Sequence, residues 1–341
     1  MTTTSRRSLA LLLGGMGLAA SVVLSGCSGG STDPNDITIR IALGSSGDAV
    51  DSNFDVLKEQ YEELYPGRTV EIIVQEDDVY QTTGLPTLLS SRDAPDAYFE
   101  WSGPRMRGHV ADGDGADIAD ALGGPLFEGR FDEGAFNNMD VDGSGIYMVP
   151  WTGDVTNVIW YDVDVFEELG IEVPTTWDEY LDANQTILDA GLLPMVEGNK
   201  DQWPVGSIAS HIASRIAGEE LYAQVLDGEA PMNSPEMVLA FEKLAELAPY
   251  VNPSINALAD DEAMLQFFLG KAVTHQIGSW LMADAGENAG DLNFDYFNMP
   301  AFEDGAGAQD SVLGISTGFM VNENSEHIDE TLEFLAMMVS P

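Results

Sequence analysis

Ile37-Thr38-Ile39-Arg40-Ile41-Ala42-Leu43, broken off by Gly44-Ser45-Ser46-Gly47-Asp48, is the stretch that decides the fold. β-Branched and other apolar side chains alternate with polar ones, as in a half-buried strand, and the Gly/Ser cluster behind them marks a turn. Downstream, Phe54, Leu57, Tyr61 and Leu64 recur at three- and four-residue steps, the spacing of one helix face. Pro66-Gly67 closes that helix, and Thr69 to Val74 reads as the next strand. A further helix is predicted before Asp96-Ala97-Tyr98-Phe99, a short buried strand. Strand, helix, strand, helix, strand predicts a parallel sheet covered by helices, an α/β fold. Open α/β sheets bind ligands beyond the carboxyl ends of their strands. The tips here are polar or aromatic: Ser45 to Asp48, Gln75 to Asp78, and Glu100-Trp101.

The second half opens at Ile146 to Pro150, with a strand predicted over Thr156 to Tyr161, and then turns mostly helical. Thr176-Trp177-Asp178-Glu179 has the form of a capping box and so starts a helix. Ser234-Pro235 puts proline in a first helical turn, and Phe241, Leu244, Leu247 and Ala248 continue that helix's apolar face. Asp261 to Gly270 is predicted as an amphipathic helix and Ala272 to Ile277 as a strand.

Upstream of the deciding stretch the chain reads as an export signal. Arg6-Arg7 form a twin-arginine pair, and the apolar run Leu9 to Leu24 falls short of the ~20 residues of a membrane helix. Leu24-Ser25-Gly26-Cys27 has the form of a lipobox. Residues 1–27 are therefore expected to be a twin-arginine lipoprotein signal with lipid attachment at Cys27, and residues 28–36 a flexible linker. Cys27 is the only cysteine, which leaves no disulfide and no cysteine-based metal site. The 341 residues suit two lobes, and a 44% hydrophobic content is enough for packed cores.

Lys and Arg number 13 against 58 Asp and Glu, a formal charge of -45. Such a field repels nucleic acid and anionic membrane surfaces, so no nucleic acid partner is expected and membrane contact only through the lipid anchor. The acids are scattered along the chain rather than clustered. That pattern reads as a solvated, halophilic surface whose self-repulsion high salt screens within a few ångströms.

Little in the sequence points to catalysis. His109, His211, His275 and His327 are far apart and show no ligand spacing, so no metal is expected. No nucleophile elbow, P-loop or dinucleotide fingerprint occurs, and no cofactor is implied. The tryptophans say more. Trp177 at a helix start and Trp160 inside a strand read as core. Trp101, Trp151, Trp203 and Trp280 stand in loops or at element ends, where binding residues concentrate. Flat indoles cover the C–H faces of sugars while carboxylates and amides accept hydroxyl protons.

Ala94-Pro95-Asp96-Ala97-Tyr98-Phe99-Glu100-Trp101 resembles the "PDvff-W" strand of the extracellular solute-binding proteins of carbohydrate ABC transporters, maltose/oligosaccharide-binding type. Met148-Val149-Pro150-Trp151 with Asn157 to Tyr161 is similar to their "vPy…vlyYN" crossing, and Asp164 to Gly170 with Pro174 to Trp177 to "dlFeklGi…P.TW". Ile277-Gly278-Ser279-Trp280 and Gly314 to Phe319 complete the order. The resemblance implies a two-lobed periplasmic-binding-protein-like α/β fold with hinge-crossing strands and a central cleft. It divides the chain into lobe 1 (37–153), lobe 2 (154–312) and a return to lobe 1 (313–341).

It also implies ligand contacts at Trp101, Asp154, Trp203 and Trp280, with Ser45, Ser46 and Asp48 in the first polar loop. Glu100, Trp151 and Lys200 join them by proximity. Asn199 to Pro204 leans toward oligosaccharide binders. Tyr161-Asp162 departs from the usual Tyr-Asn. Glu333 to Pro341 resembles a segment after which members continue for several helices; the chain as given is expected to lack them and so to expose apolar surface on lobe 2. The implied protein is a monomeric, lipid-anchored receptor on the extracellular face of the membrane. It hands a carbohydrate to ABC permease subunits and is not an enzyme. Two alternatives stay open: the same fold holding a cationic solute such as a polyamine in an aromatic, acidic cage, and a secreted glycosidase, whose paired carboxylates sequence cannot reveal.

Overall fold

The computed structural model describes residues 36–45, 48–141 and 143–340. The export signal, Cys27, the linker up to residue 35 and Ser46 lie outside the described residues. The strands are β1 (Ile37–Gly44), β2 (Arg68–Gln75), β3 (Ala97–Trp101), β4 (Val149–Val155), β5 (Val158–Asp162), β6 (Thr274–Ile277), β7 (Phe294–Asn298) and β8 (Gly314–Val321).

The deciding stretch behaves as its pattern predicts. β1 pairs parallel with β2, from Ile37 opposite Arg68 to Gly44 opposite Gln75, and parallel with β3 on its other edge. β8 then runs antiparallel to both β3 and β4, giving the five-stranded order β2-β1-β3-β8-β4. Phe54 and Tyr61 on helix Asp48–Leu64 bury their rings against this sheet, as their spacing requires. The last helix, Ile328–Met338, packs into the same core through Leu332, Phe334 and Leu335. Tyr61 donates to the Glu330 carbonyl, and Arg68 pairs with Glu333, so first and last helices are tied together.

The second lobe is built on a three-stranded sheet, β6-β5-β7, with β5 antiparallel to both neighbours. Alternation along β5 sends Ile159 and Tyr161 into one core with Phe166, Trp177, Tyr180 and Ile212. Val158 and Trp160 go into another, with Phe267, Phe268 and Leu281. Trp160 and Trp177 are thus core residues, 4% and 3% exposed. The capping box forms: the Thr176 hydroxyl accepts from Glu179 N at 3.3 Å, and the Glu179 carboxylate accepts from Thr176 N at 3.1 Å. Ser234 caps helix Pro235–Glu246 by accepting from Met237 N.

Two segments connect the lobes, and they run side by side. β4 leads into β5, while the chain after β7 returns through β8. β4 and β8 are paired down to Val155 opposite Gly314, and Thr156 N donates to Leu313 O at 2.9 Å. The return segment is pinned by Arg215, which is fully buried and forms no salt bridge among the described residues. Its guanidinium donates to the carbonyls of Met299, Pro300 and Ser311.

Candidate ligand cleft

Just beyond β6, Gly278-Ser279-Trp280 turns back toward the crossing strands. Ser279 N donates to Val155 O at 2.8 Å and its hydroxyl to Asp154 Oδ1 at 2.9 Å. The Trp280 indole folds over its own loop. A Cβ on Gly278 would lie 2.0 Å from the ring, so any larger residue there would displace the indole from its place. Trp203, the first residue of helix Trp203–Ala217, brings its ring centroid to 5.8 Å from that of Trp280, tilted by 56°. Both indoles are half-buried, packed on the lobe 2 core with the rest exposed.

Asp154 links this pair to lobe 1. Thr152 donates to Asp154 Oδ2 at 3.3 Å and shares a 2.8 Å hydroxyl contact with Thr317. Thr317 stands directly opposite Trp101 in the β3–β8 ladder. Trp101 lies edge-on to Phe99, 4.7 Å between centroids, with the Arg105 guanidinium 5.2 Å from its ring centroid. A continuous track thus runs from Trp101 across the hinge to Trp280 and Trp203.

The turn after β2 is acidic. Glu76 caps it by accepting from Asp78 N and Val79 N, with Asp77 and Asp78 in the first helical turn. Burial, together with Asp261 and Glu76, pushes the Asp77 carboxyl up to about 6, although Gln81 donates to it. Burial, and after it the charge of Asp201 from lobe 2, pushes the Asp78 carboxyl up to about 6.

The family model for bacterial extracellular solute-binding proteins matches residues 44–341. The chain belongs to that family. An uncharacterized ABC transporter extracellular-binding protein of Pyrococcus horikoshii is 24% identical over 308 residues, 86% of this chain and 68% of that relative. A solved structure concerned with xylan utilization by the thermophile Caldanaerobius polysaccharolyticus aligns with a TM-score of 0.81 at 24% identity, covering 89% of this chain and 78% of the other. RafE of Streptococcus pneumoniae in complex with raffinose aligns with a TM-score of 0.73 at 19% identity, covering 89% and 78%. Members of this family are transport receptors, which sets the glycosidase reading aside.

Within this solute-binding protein the expected contacts do not all share one surface. Trp101, Asp154, Trp203 and Trp280 fall on the track, and Lys200 is exposed on the loop before Trp203. Ser45 continues β1, its N donating to Gln75 O and its hydroxyl to Asp51 Oδ2 at 2.7 Å. Asp48 is the first residue of helix Asp48–Leu64.

Glu100 is a correction. It is 0% exposed, enclosed under helix Pro104–Asp112. Oε1 accepts from Arg105 Nε at 2.7 Å and from Trp101 N at 2.9 Å, and Oε2 lies 2.9 Å from His109 Nε2. Burial works against its charge, but these donors win and hold the carboxyl below its ordinary range. Trp151 is also placed differently. A register shift between Pro150 and Thr152 aims its ring into the lobe 1 core against Phe54, Phe99 and Phe319. It lines a separate cavity of about 500 Å³ with Arg130, Phe131 and Met338.

The histidines serve packing: His109 braces Glu100, and His275 lies 0% exposed against the Val196 carbonyl. Among the described residues no cluster of His, Cys, Asp or Glu is arranged to hold a metal ion. Ser279, Thr152, Thr317 and Asp201 were not singled out from sequence. Ser279 alone carried a signal, its place between a glycine and a cleft tryptophan.

Proposed function

We propose that this solute-binding protein captures a carbohydrate, in particular an oligosaccharide, between its two lobes and delivers it to the permease of an ABC importer. The observation that carries the reading is the track itself: indoles from both lobes with a hydroxyl-rich ladder and Asp154 between them at the hinge. Half-buried indoles stack on C–H faces, and the acids and threonines accept or donate to hydroxyls around the rim. The raffinose bound to RafE and the xylan context of the other similar structure support the same ligand class.

The ligand bridges the lobes and shifts an open–closed equilibrium through its greater affinity for the closed form. The lobes we assign are 37–153 with 313–341, and 154–312. Cys27, at the end of a twin-arginine signal, is the proposed lipid attachment that holds the receptor at the outer face of the membrane. Titration calorimetry with maltotriose, raffinose, xylotriose and chitotriose tests the reading; folded protein that stays silent to all of them sinks it.

The acidic turn after β2 favours one second reading, a cationic solute. Binding of spermidine that weakens steeply with salt, while every sugar fails, selects it.

A further inference from the structure

Trp203, Ser207, His211 and Arg215 follow one another a helical turn apart along helix Trp203–Ala217. The first is an indole of the track; the other three hold the two segments that cross between the lobes. Ser207 accepts from the Asn157 side-chain amide at 2.7 Å. Asn157 is 1% exposed and lies between β4 and β5, on the outgoing crossing. Arg215 donates to the carbonyls of Met299, Pro300 and Ser311 on the return crossing, and His211 Nε2 lies 3.3 Å from the Ser311 carbonyl. The return crossing answers with its own donors. Ala306 N donates to Ile216 O at 3.1 Å, Gly307 N to Arg215 O at 2.9 Å and Gln309 Nε2 to Arg215 O at 2.8 Å, which satisfies carbonyls at the open end of the helix. A Cβ on Gly307 would lie 2.2 Å from the Ser214 carbonyl, so the two backbones touch.

Lobe 1 lets go of the crossing ribbon early. β3 pairs with β8 only as far as Trp101 opposite Thr317, and Ser102 N donates to Ser316 O at 2.9 Å. Lobe 2 takes hold at Asp154 and Val155, both bonded to Ser279, and again at Asn157 and Ser311. Between the two sets lies a short span of paired strand that carries Gly153 and Gly314. Hinges absorb their backbone rotation at a few such positions. Pulling a buried amide or guanidinium off its acceptors costs stability, so the grips persist while the span bends.

We propose that helix Trp203–Ala217 is a rigid bar between solute and hinge, with Ser207 and Arg215 as positioning residues that keep both crossing segments at a set distance from Trp203. The pivot then stays in the short span, and each closure brings the Trp203 indole back to one place over the solute. Arg215, 0% exposed, acts only through the segment it holds. The proposal rests on the two-lobed receptor reading above but not on which solute binds. Losing either grip lets lobe 2 shift on the crossing segments. Encounter uses indoles that stay exposed, so the association rate holds. The closed complex loses its registry, so release quickens.

The test has two arms. In the first, the full chain with Cys27→Ser carries spin labels at the exposed positions Glu59→Cys and Glu242→Cys, one on each lobe. Pulsed dipolar spectroscopy reads their distance distribution without sugar. Ser207→Ala and Arg215→Lys are expected to broaden it, since alanine offers no acceptor and an ammonium lacks the planar fork that meets spread carbonyls. Ser207→Thr, which keeps the hydroxyl, restores the parent width. In the second, stopped-flow tryptophan fluorescence follows maltotriose, raffinose, xylotriose and chitotriose. A sugar that binds is expected to leave Ser207→Ala about tenfold faster at an unchanged association rate. Ile187→Val, which trims the buried lobe 2 core away from this helix, lowers the melting temperature without either effect. A distribution as narrow in Ser207→Ala as in the parent overturns the proposal whichever sugars bind. So does unchanged release, or release quickened equally by Ile187→Val. Should Arg215→Lys fail to fold, the two Ser207 variants decide alone. Sugars that all stay silent beside a broadened distribution overturn the carbohydrate reading alone.

Discussion

Trp280 and Glu100 are both near the hinge, yet their environments assign them opposite kinds of work. Trp280 keeps half its indole outside the lobe 2 core, beside Trp203. Trp280→Ala is expected to weaken sugar binding by about 2 kcal/mol, roughly 30-fold by calorimetry, with little change in melting temperature. Glu100 is sealed beneath Arg105 and His109. Glu100→Gln is expected to cost about 1–3 kcal/mol of stability while sugar affinity holds, read by scanning calorimetry and titration together. Because its folded carboxyl is held low, Glu100 stabilises the fold above its unfolded value near 4.3, and that contribution fades as pH falls through the lowered one. Sequence put Trp160 and Trp177 in the core, because they sit inside elements whose period is visible, but it missed that Trp151 turns inward. It misplaced Glu100 because strand-end position signals exposure, whereas the following helix folds Arg105 and His109 back over the carboxylate.

Elements were legible wherever a local rule acts alone. β1, helix Asp48–Leu64 and the Thr176 capping box follow from alternation, period and cap chemistry. Features decided by distant partners were not legible. The π-helical turn Tyr80–Gly84 is fixed by Tyr80 donating to the Phe99 carbonyl at 2.7 Å, and the β4 irregularity that turns Trp151 inward depends on its pairing with β8. Helix Asp260–Phe268 begins with a charge problem. Asp260 is buried, and that burial pushes its carboxyl up to about 7, with Glu197 and Asp261 adding to it against His275. The folded protein holds this proton below about 7 and the unfolded chain releases it above about 4, so ionised Asp260 is a cost at higher pH. Asp260→Asn is expected to raise the melting temperature by about 2–4 °C at pH 8, and by less at pH 5.

Over the whole molecule the acid excess dominates. A charge of -45 repels itself, and salt screens that repulsion, so the melting temperature is expected to climb by several degrees between 0.1 M and 2 M NaCl. A midpoint unmoved by salt removes the halophilic interpretation. The two-lobed plan was readable from motif order, but which side chains face one another across the cleft was not, since that depends on how the crossing strands set one lobe against the other. Those strands have a mechanical corollary. Being laced together by ladder hydrogen bonds, β4 and β8 act as one ribbon rather than two loose tethers. A ribbon flexes easily across its flat face and resists shear within its plane, so the lobe closure proposed above is expected to follow a single arc and return to the same bite each time.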